Sequence, residues 1–118
     1  MNYERQKRLV ERLLDRTRAG ELSWQESIRP DTFQVAFPNN SVLIRSIDDG
    51  RFTDFHVSIA DSTGRVVDGF GKDQLDRDGP PGSGSGSWSR VLGELHALAR
   101  RSALRADEAI DNILVEID

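Results

Sequence analysis

Between Thr32 and Gly71 apolar and polar residues alternate with period two, the spacing of strands that bury one face. In Thr32–Phe37 the side chains of Phe33, Val35 and Phe37 point one way, and those of Gln34 and Ala36 the other. Pro38-Asn39-Asn40-Ser41 follows. Asn tolerates positive φ, so Asn39-Asn40 suits a two-residue hairpin loop. That loop predicts Phe37 opposite Val42 and Val35 opposite Ile44, with Ser41–Ile47 as the second strand. The third strand, Asp54–Asp61, turns Phe55, Val57 and Ile59 inward and His56, Ser58 and Ala60 outward. Asp61-Ser62-Thr63-Gly64 has the chemistry of a type I turn closed by a left-handed Gly. The resulting register sets Ile59 against Val67 and Val57 against Gly69. On the far face it sets Val66 beside Ala60 and Phe70 beside His56. Leu43 joins them, so Leu43, His56, Val66 and Phe70 form a candidate interaction surface.

Outside this ribbon the period changes to that of helices. In Asn2–Arg18 the residues Tyr3, Leu9, Val10, Leu13, Leu14 and Thr17 form one stripe, with Asn2 as N-cap and Gly20 as a left-handed stop. Glu21–Asp31 reads as a connector with Leu22, Trp24 and Ile28 embedded in it, Trp24 anchoring the crossing by its large area. Pro30 holds Arg29 out of the helical region and leads into the first strand. Lys72–Ser87 reads as a loop. Its Gly/Ser tail, natural or of linker type, buries too little apolar surface to offset ordering and is expected to be flexible.

Ser87–Ala103 is a second helix, capped by Ser87, with Trp88, Val91, Leu92, Leu95, Leu98 and Ala99 on its apolar side. Arg100 and Arg101 sit in its last turn, where the helix dipole favours cations. Leu104-Arg105 makes a bend. Ala106–Ile117 is a third helix, with Asp107 and Glu108 in its first turn and Ala109, Ile110, Ile113, Leu114 and Ile117 on its expected buried side. The pattern predicts one α+β domain over residues 1–118: a four-stranded antiparallel meander covered on one face by an N-terminal helix and two C-terminal helices.

Composition narrows the function. The 118 residues are 36% hydrophobic and 31% charged, with net charge -4 and no Cys. No apolar run approaches the roughly 20 residues that cross a bilayer, and the charged start does not read as a signal peptide. No disulfide or thiolate site is available, in keeping with a cytoplasmic location. The negative balance gives no general attraction to nucleic acid. Two helices on a tight link suggest a helix-turn-helix reader, but phosphate repels the acidic second one. Charge is polarised: residues 1–20 hold six Lys/Arg against three Asp/Glu, and residues 106–118 hold five acids and no base. The two ends are complementary, within one subunit or across a dimer.

Catalytic groups are sparse. His56 lies near Asp54, and His96 sits among the polar residues of the second helix; neither has a second His at ligand spacing, so no metal site is expected. Asp48-Asp49-Gly50 and Asp76-Arg77-Asp78-Gly79 are turns without the later Glu of a calcium loop. The Gly/Ser tail runs into Trp88 rather than the Lys-Ser/Thr of a phosphate loop, and no Gly-x-Ser-x-Gly elbow occurs. No cofactor and no catalytic residue is assigned.

Leu13-Leu14-Asp15-Arg16-Thr17 before Gly20 and Trp24, then Pro30-Asp31-Thr32-Phe33, resembles a group of small uncharacterised bacterial α+β proteins. So does Leu98-Ala99-Arg100-Arg101-Ser102-Ala103-Leu104 followed by Asp107-Glu108-Ala109-Ile110 and Ile113-Leu114. The resemblance spans nearly the whole chain, mostly at core and cap positions. It implies a free-standing bacterial domain that acts through other proteins, with no established activity to carry over. The expected function is therefore a non-enzymatic interaction module, an adaptor or accessory protein acting as a homodimer on an unidentified protein partner. One alternative is a small-ligand binder or enzyme on the outer sheet face, using His56, Asp54 and Asp68. The other is an inhibitor or immunity-type protein acting through its acidic last helix.

Overall fold

The computed structural model describes residues 2–48, 50–77 and 87–118. The first helix, α1 (Glu4–Arg18), buries Val10, Leu13, Leu14 and Thr17. It starts at Tyr3 without a side-chain cap, so Asn2 does not serve as one. Its other end follows expectation. Gly20 takes φ +73, the N–H of Gly20 bonds to Thr17 O, and that of Glu21 bonds to Arg16 O. These two bonds satisfy carbonyls that the last turn would otherwise leave open.

The segment after α1 contains a strand. β1 (Gln25–Glu26) pairs antiparallel with β2 (Thr32–Ala36), so the sheet has five strands in the order β1-β2-β3-β4-β5. Two exposed polar residues carry no alternation, which is why the strand has no signature of its own. Its placement comes from Trp24. The indole is buried, donates Nε1–H to Thr17 Oγ1 at 3.0 Å, and its backbone N–H reaches Ser102 Oγ at 3.0 Å. Ile28, expected to be embedded, is fully exposed.

β2 pairs with β3 (Asn40–Asp48) as Val35↔Val42 and Phe33↔Ile44, two residues from the expected register. Pro38-Asn39 forms the turn, with Phe37 N–H bonded to Asn40 O at 2.7 Å. Proline's fixed φ favours the first central position of a turn and outweighs the Asn pair. An even shift preserves the faces, so Phe33, Val35, Val42 and Ile44 are buried as expected. Only Phe37, now in the turn, loses its cover.

β3 pairs along its full length with β4 (Thr53–Asp61). The next turn follows expectation: Gly64 has φ +87, and Asp61 Oδ1 accepts from the N–H groups of Thr63 and Arg65. In β5 (Val66–Gly71) Val66 pairs with Ala60 as expected, but a bulge between Ile59 and Ala60 then shifts the register by one. Asp68 faces Ile59, and Phe70 faces Val57. An odd shift reverses the faces. Phe70 is thus 0% exposed beneath the helices, and the expected Val57–Gly69 and Phe70–His56 neighbours are replaced.

Directly after β5 the chain forms a short helix, α2 (Lys72–Asp76), where a loop is expected. Gln74 Oε1 accepts the Gly71 N–H at 2.8 Å, and Leu75 is completely buried. One apolar residue in a polar stretch gives no periodicity, yet its burial suffices to shape this turn. The expected flexible Gly/Ser tail at 82–86 lies outside the described residues.

α3 (Trp88–Ala103) is capped by Ser87, whose Oγ accepts the Arg90 N–H. It buries Trp88, Val91, Leu92, Leu95, His96 and Ala99 against α1 and the sheet. The core therefore lies between one sheet face and the pair α1 and α3. The last helix, α4 (Ala106–Ile117), is outside it: not one of its residues is buried. Among the described residues no helix is long and apolar enough to cross a membrane.

Candidate interaction surface

α3 stops where Arg105 enters the left-handed region at φ 54, ψ 49, which turns the chain before α4 begins. Arg105 N–H bonds to Ser102 O, and Ala109 N–H bonds to Arg105 O, so backbone bonds continue on both sides of the bend. Two ion pairs brace the first turn of α4: Arg101 Nη2 to Asp107 Oδ1 at 2.5 Å, and Arg105 Nε to Glu108 Oε2 at 2.9 Å. Both are exposed and worth about 0–1 kcal/mol each, enough to bias the angle of the helix but not to bury it.

The helical spacing of Ile110, Ile113, Leu114 and Ile117 aligns them on one face. That face, expected to cover the sheet, points into solvent; Ile113 is 56% and Ile117 72% exposed. Clustered apolar exposure of this kind marks a contact surface far better than scattered single residues do. Asp107, Asp111 and Asp118 follow one border of the stripe, and Glu116 lies on the other. Two clefts adjoin the root of the helix. One is lined by Thr17, Leu22, Leu98, Ser102, Arg105 and Ala106, the other by Ile28, Pro30, Arg100 and Leu104 among others.

The far sheet face is less apolar than expected. Leu43 and His56 are half-buried there and Val66 is exposed, but the bulge removes Phe70 to the core. The His56 ring lies over the glycines of β5, its Nε2 only 2.9 Å from where a Cβ on Gly69 would stand. Burial holds the His56 pKa below the usual histidine value, Arg45 across the strand pair adds to this, and Asp54 opposes it. The folded state thus favours neutral imidazole. His56 costs nothing above about pH 6.5, and stability falls as pH drops below that value towards the lower folded pKa. NMR titration of the imidazole should give a midpoint below that of a model peptide; a midpoint above it would contradict this placement.

The structure does not gather His56, Asp54 and Asp68 into one cleft. His56 pairs with Gly71 on the far face, whereas Asp68 pairs with Ile59 on the helix-covered face and accepts Gln6 Nε2–H at 3.2 Å. Asp54 Oδ1 accepts the N–H of Phe55. His96, expected among polar residues, is buried between Phe33 and Phe55, with ring centroids at 5.3 and 5.2 Å. Its Nε2 lies 2.9 Å from Asp31 O, and a carbonyl only accepts, so Nε2 carries the proton. Among the described residues no group of three His, Asp or Glu side chains is placed to hold a metal ion. Compared with protein-family models, with curated proteins and with solved structures, the chain matches none.

Proposed function

We propose that this chain is a non-enzymatic protein-interaction module, a bacterial adaptor or accessory protein, and that α4 is its docking arm. The observation that carries the reading is the solvent-facing stripe Ile110, Ile113, Leu114 and Ile117 on a helix with no buried residue. A helix of 12 residues is marginal in water by itself, since isolated helices below about 12–15 residues rarely hold together. An apolar face laid against a partner would stabilise it, and helix-in-groove recognition uses this spacing of anchors. The acidic border of the same helix also supports an inhibitor-type variant, in which a basic protein surface is blocked.

Hydrogen exchange resolved by segment tests the proposal. In dilute protein the amides of α4 are expected to exchange fast while those of β3, β4 and α3 are protected. In the associated state, with itself or with an added partner, α4 should become protected, and Ile113→Asp should abolish that gain. Fast exchange of α4 in every state, or full protection in a dilute monomer, would overturn the reading.

A further inference from the structure

We infer that the arm docks on a second copy of this chain, against the arginine row on the outer face of α1, with the two copies exchanging arms reciprocally. The inference rests on the docking-arm reading above and names its occupant. The first argument is charge. Residues 106–118 carry five acids and no base, and four of the acids, Asp107, Asp111, Glu116 and Asp118, border the apolar stripe. Two such stripes placed face to face would bring like-charged borders together, which disfavours α4 on α4. The stripe therefore calls for an apolar surface edged with cations.

This chain presents one. Arg5, Arg8 and Arg12 recur at i, i+3 and i+7 on the exposed side of α1, and none forms an ion pair with a described residue. The row runs beside a shallow groove lined by Arg5, Gln6, Leu9, Ile59 and Asp68, in which Leu9 and Ile59 are half-buried. Val67, on β5 next to Asp68, is 54% exposed. Half-buried Leu9 of α1 and Ile59 of β4 thus line a groove with Arg5 at its rim and Arg8 and Arg12 exposed along the same helix, and aliphatic side chains bordered by carboxylates face solvent on α4.

Area supplies the second argument. A 12-residue helix is about 18 Å long and by itself covers less than the roughly 800 Å² per partner of a stable interface. In a two-fold exchange each copy gives one arm and receives one, so the same contact occurs twice and the symmetry closes.

Charge reversal in two complementary variants tests this on the full chain. One is Arg5→Glu/Arg8→Glu/Arg12→Glu; the other is Asp111→Arg/Glu116→Arg/Asp118→Arg. All six positions are exposed, and circular dichroism should report both variants folded. By sedimentation equilibrium the wild type is expected to dimerise, more weakly at high salt. Each variant alone, now with like charges on arm and groove, should self-associate about a hundredfold more weakly or worse. An equimolar mixture should recover a heterodimer, because each arm again meets its opposite charge.

A wild-type dimer lost in Ile113→Asp but untouched by reversing the α1 arginines would overturn the inference and leave the docking arm standing. A wild type that stays monomeric while a different, basic protein protects α4 from exchange would do the same. A dimer indifferent to Ile113→Asp as well would sink both.

Discussion

Phe70→Asp is expected to leave the chain unfolded. The aromatic ring is completely buried opposite Val57 in the core between the sheet and α1 and α3. Truncation to Ala at such a site costs about 3–5 kcal/mol, and a domain of this size has only about 5–15 kcal/mol in total. A carboxylate adds the penalty of a charge with no counter-ion among apolar neighbours. Loss of the cooperative thermal transition by circular dichroism would show it, with Phe70→Ala giving a lowered but measurable midpoint. The informative control is Val67→Asp. Without the bulge Val67 would face Ile59 in the core and Phe70 would lie outside, so the two substitutions would exchange their effects. With the bulge, Val67→Asp should stay within about 0.5 kcal/mol of wild type. A stable Phe70→Asp protein beside an unfolded Val67→Asp one would show that the register across β4 and β5 is wrong.

That pair of residues also shows what is legible in this sequence. Alternation assigns the inward faces of β2, β3 and β4 correctly except at Phe37, which falls in the turn and is exposed, because period two survives any even error in register, as at the Pro38 turn. A single inserted residue does not survive it. The bulge beside Ala60 leaves no mark on the pattern Val66-Val67-Asp68-Gly69-Phe70, where either of two frames buries large apolar residues. Nor does periodicity reveal β1 or α2, each placed by one buried residue, Trp24 or Leu75, next to unpatterned neighbours.

The stripe of α4 raised the opposite difficulty. Its apolar spacing was plain, but spacing states only that a face needs covering, not what covers it. α1 and α3 already occupy the inner sheet face, and Arg105 in the left-handed region turns the last helix away from it. The polarised charge of the two chain ends was visible from the start. Its physical meaning depends on the acidic helix lying outside the core and on Arg5, Arg8 and Arg12 forming no ion pair among the described residues.

His96→Ala is expected to be the costliest change at a polar position, at about 2–4 kcal/mol. The imidazole fills space between Phe33 and Phe55, and its Nε2–H bonds to the backbone carbonyl of Asp31. The same carbonyl also accepts the Ser46 N–H at 3.3 Å, so α3 and β3 converge on one atom. Asp31 sits at φ 52, a left-handed conformation that Asp adopts more readily than most residues, and its carbonyl is fixed by those two bonds. His96→Leu keeps most of the volume without the donor, and His96→Gln keeps a donor without the ring. Both should therefore fall between wild type and His96→Ala in urea midpoint at constant m-value. The Ser46 amide should exchange faster in the Ala and Leu variants than in the Gln variant, since losing the donor frees the turn into β2. That turn carries Ile28 and lines the cleft with Arg100 and Leu104 at the root of α4. An unchanged midpoint for His96→Ala would mean that the buried ring supports nothing, and that the mount of the arm is set by the α3 backbone alone.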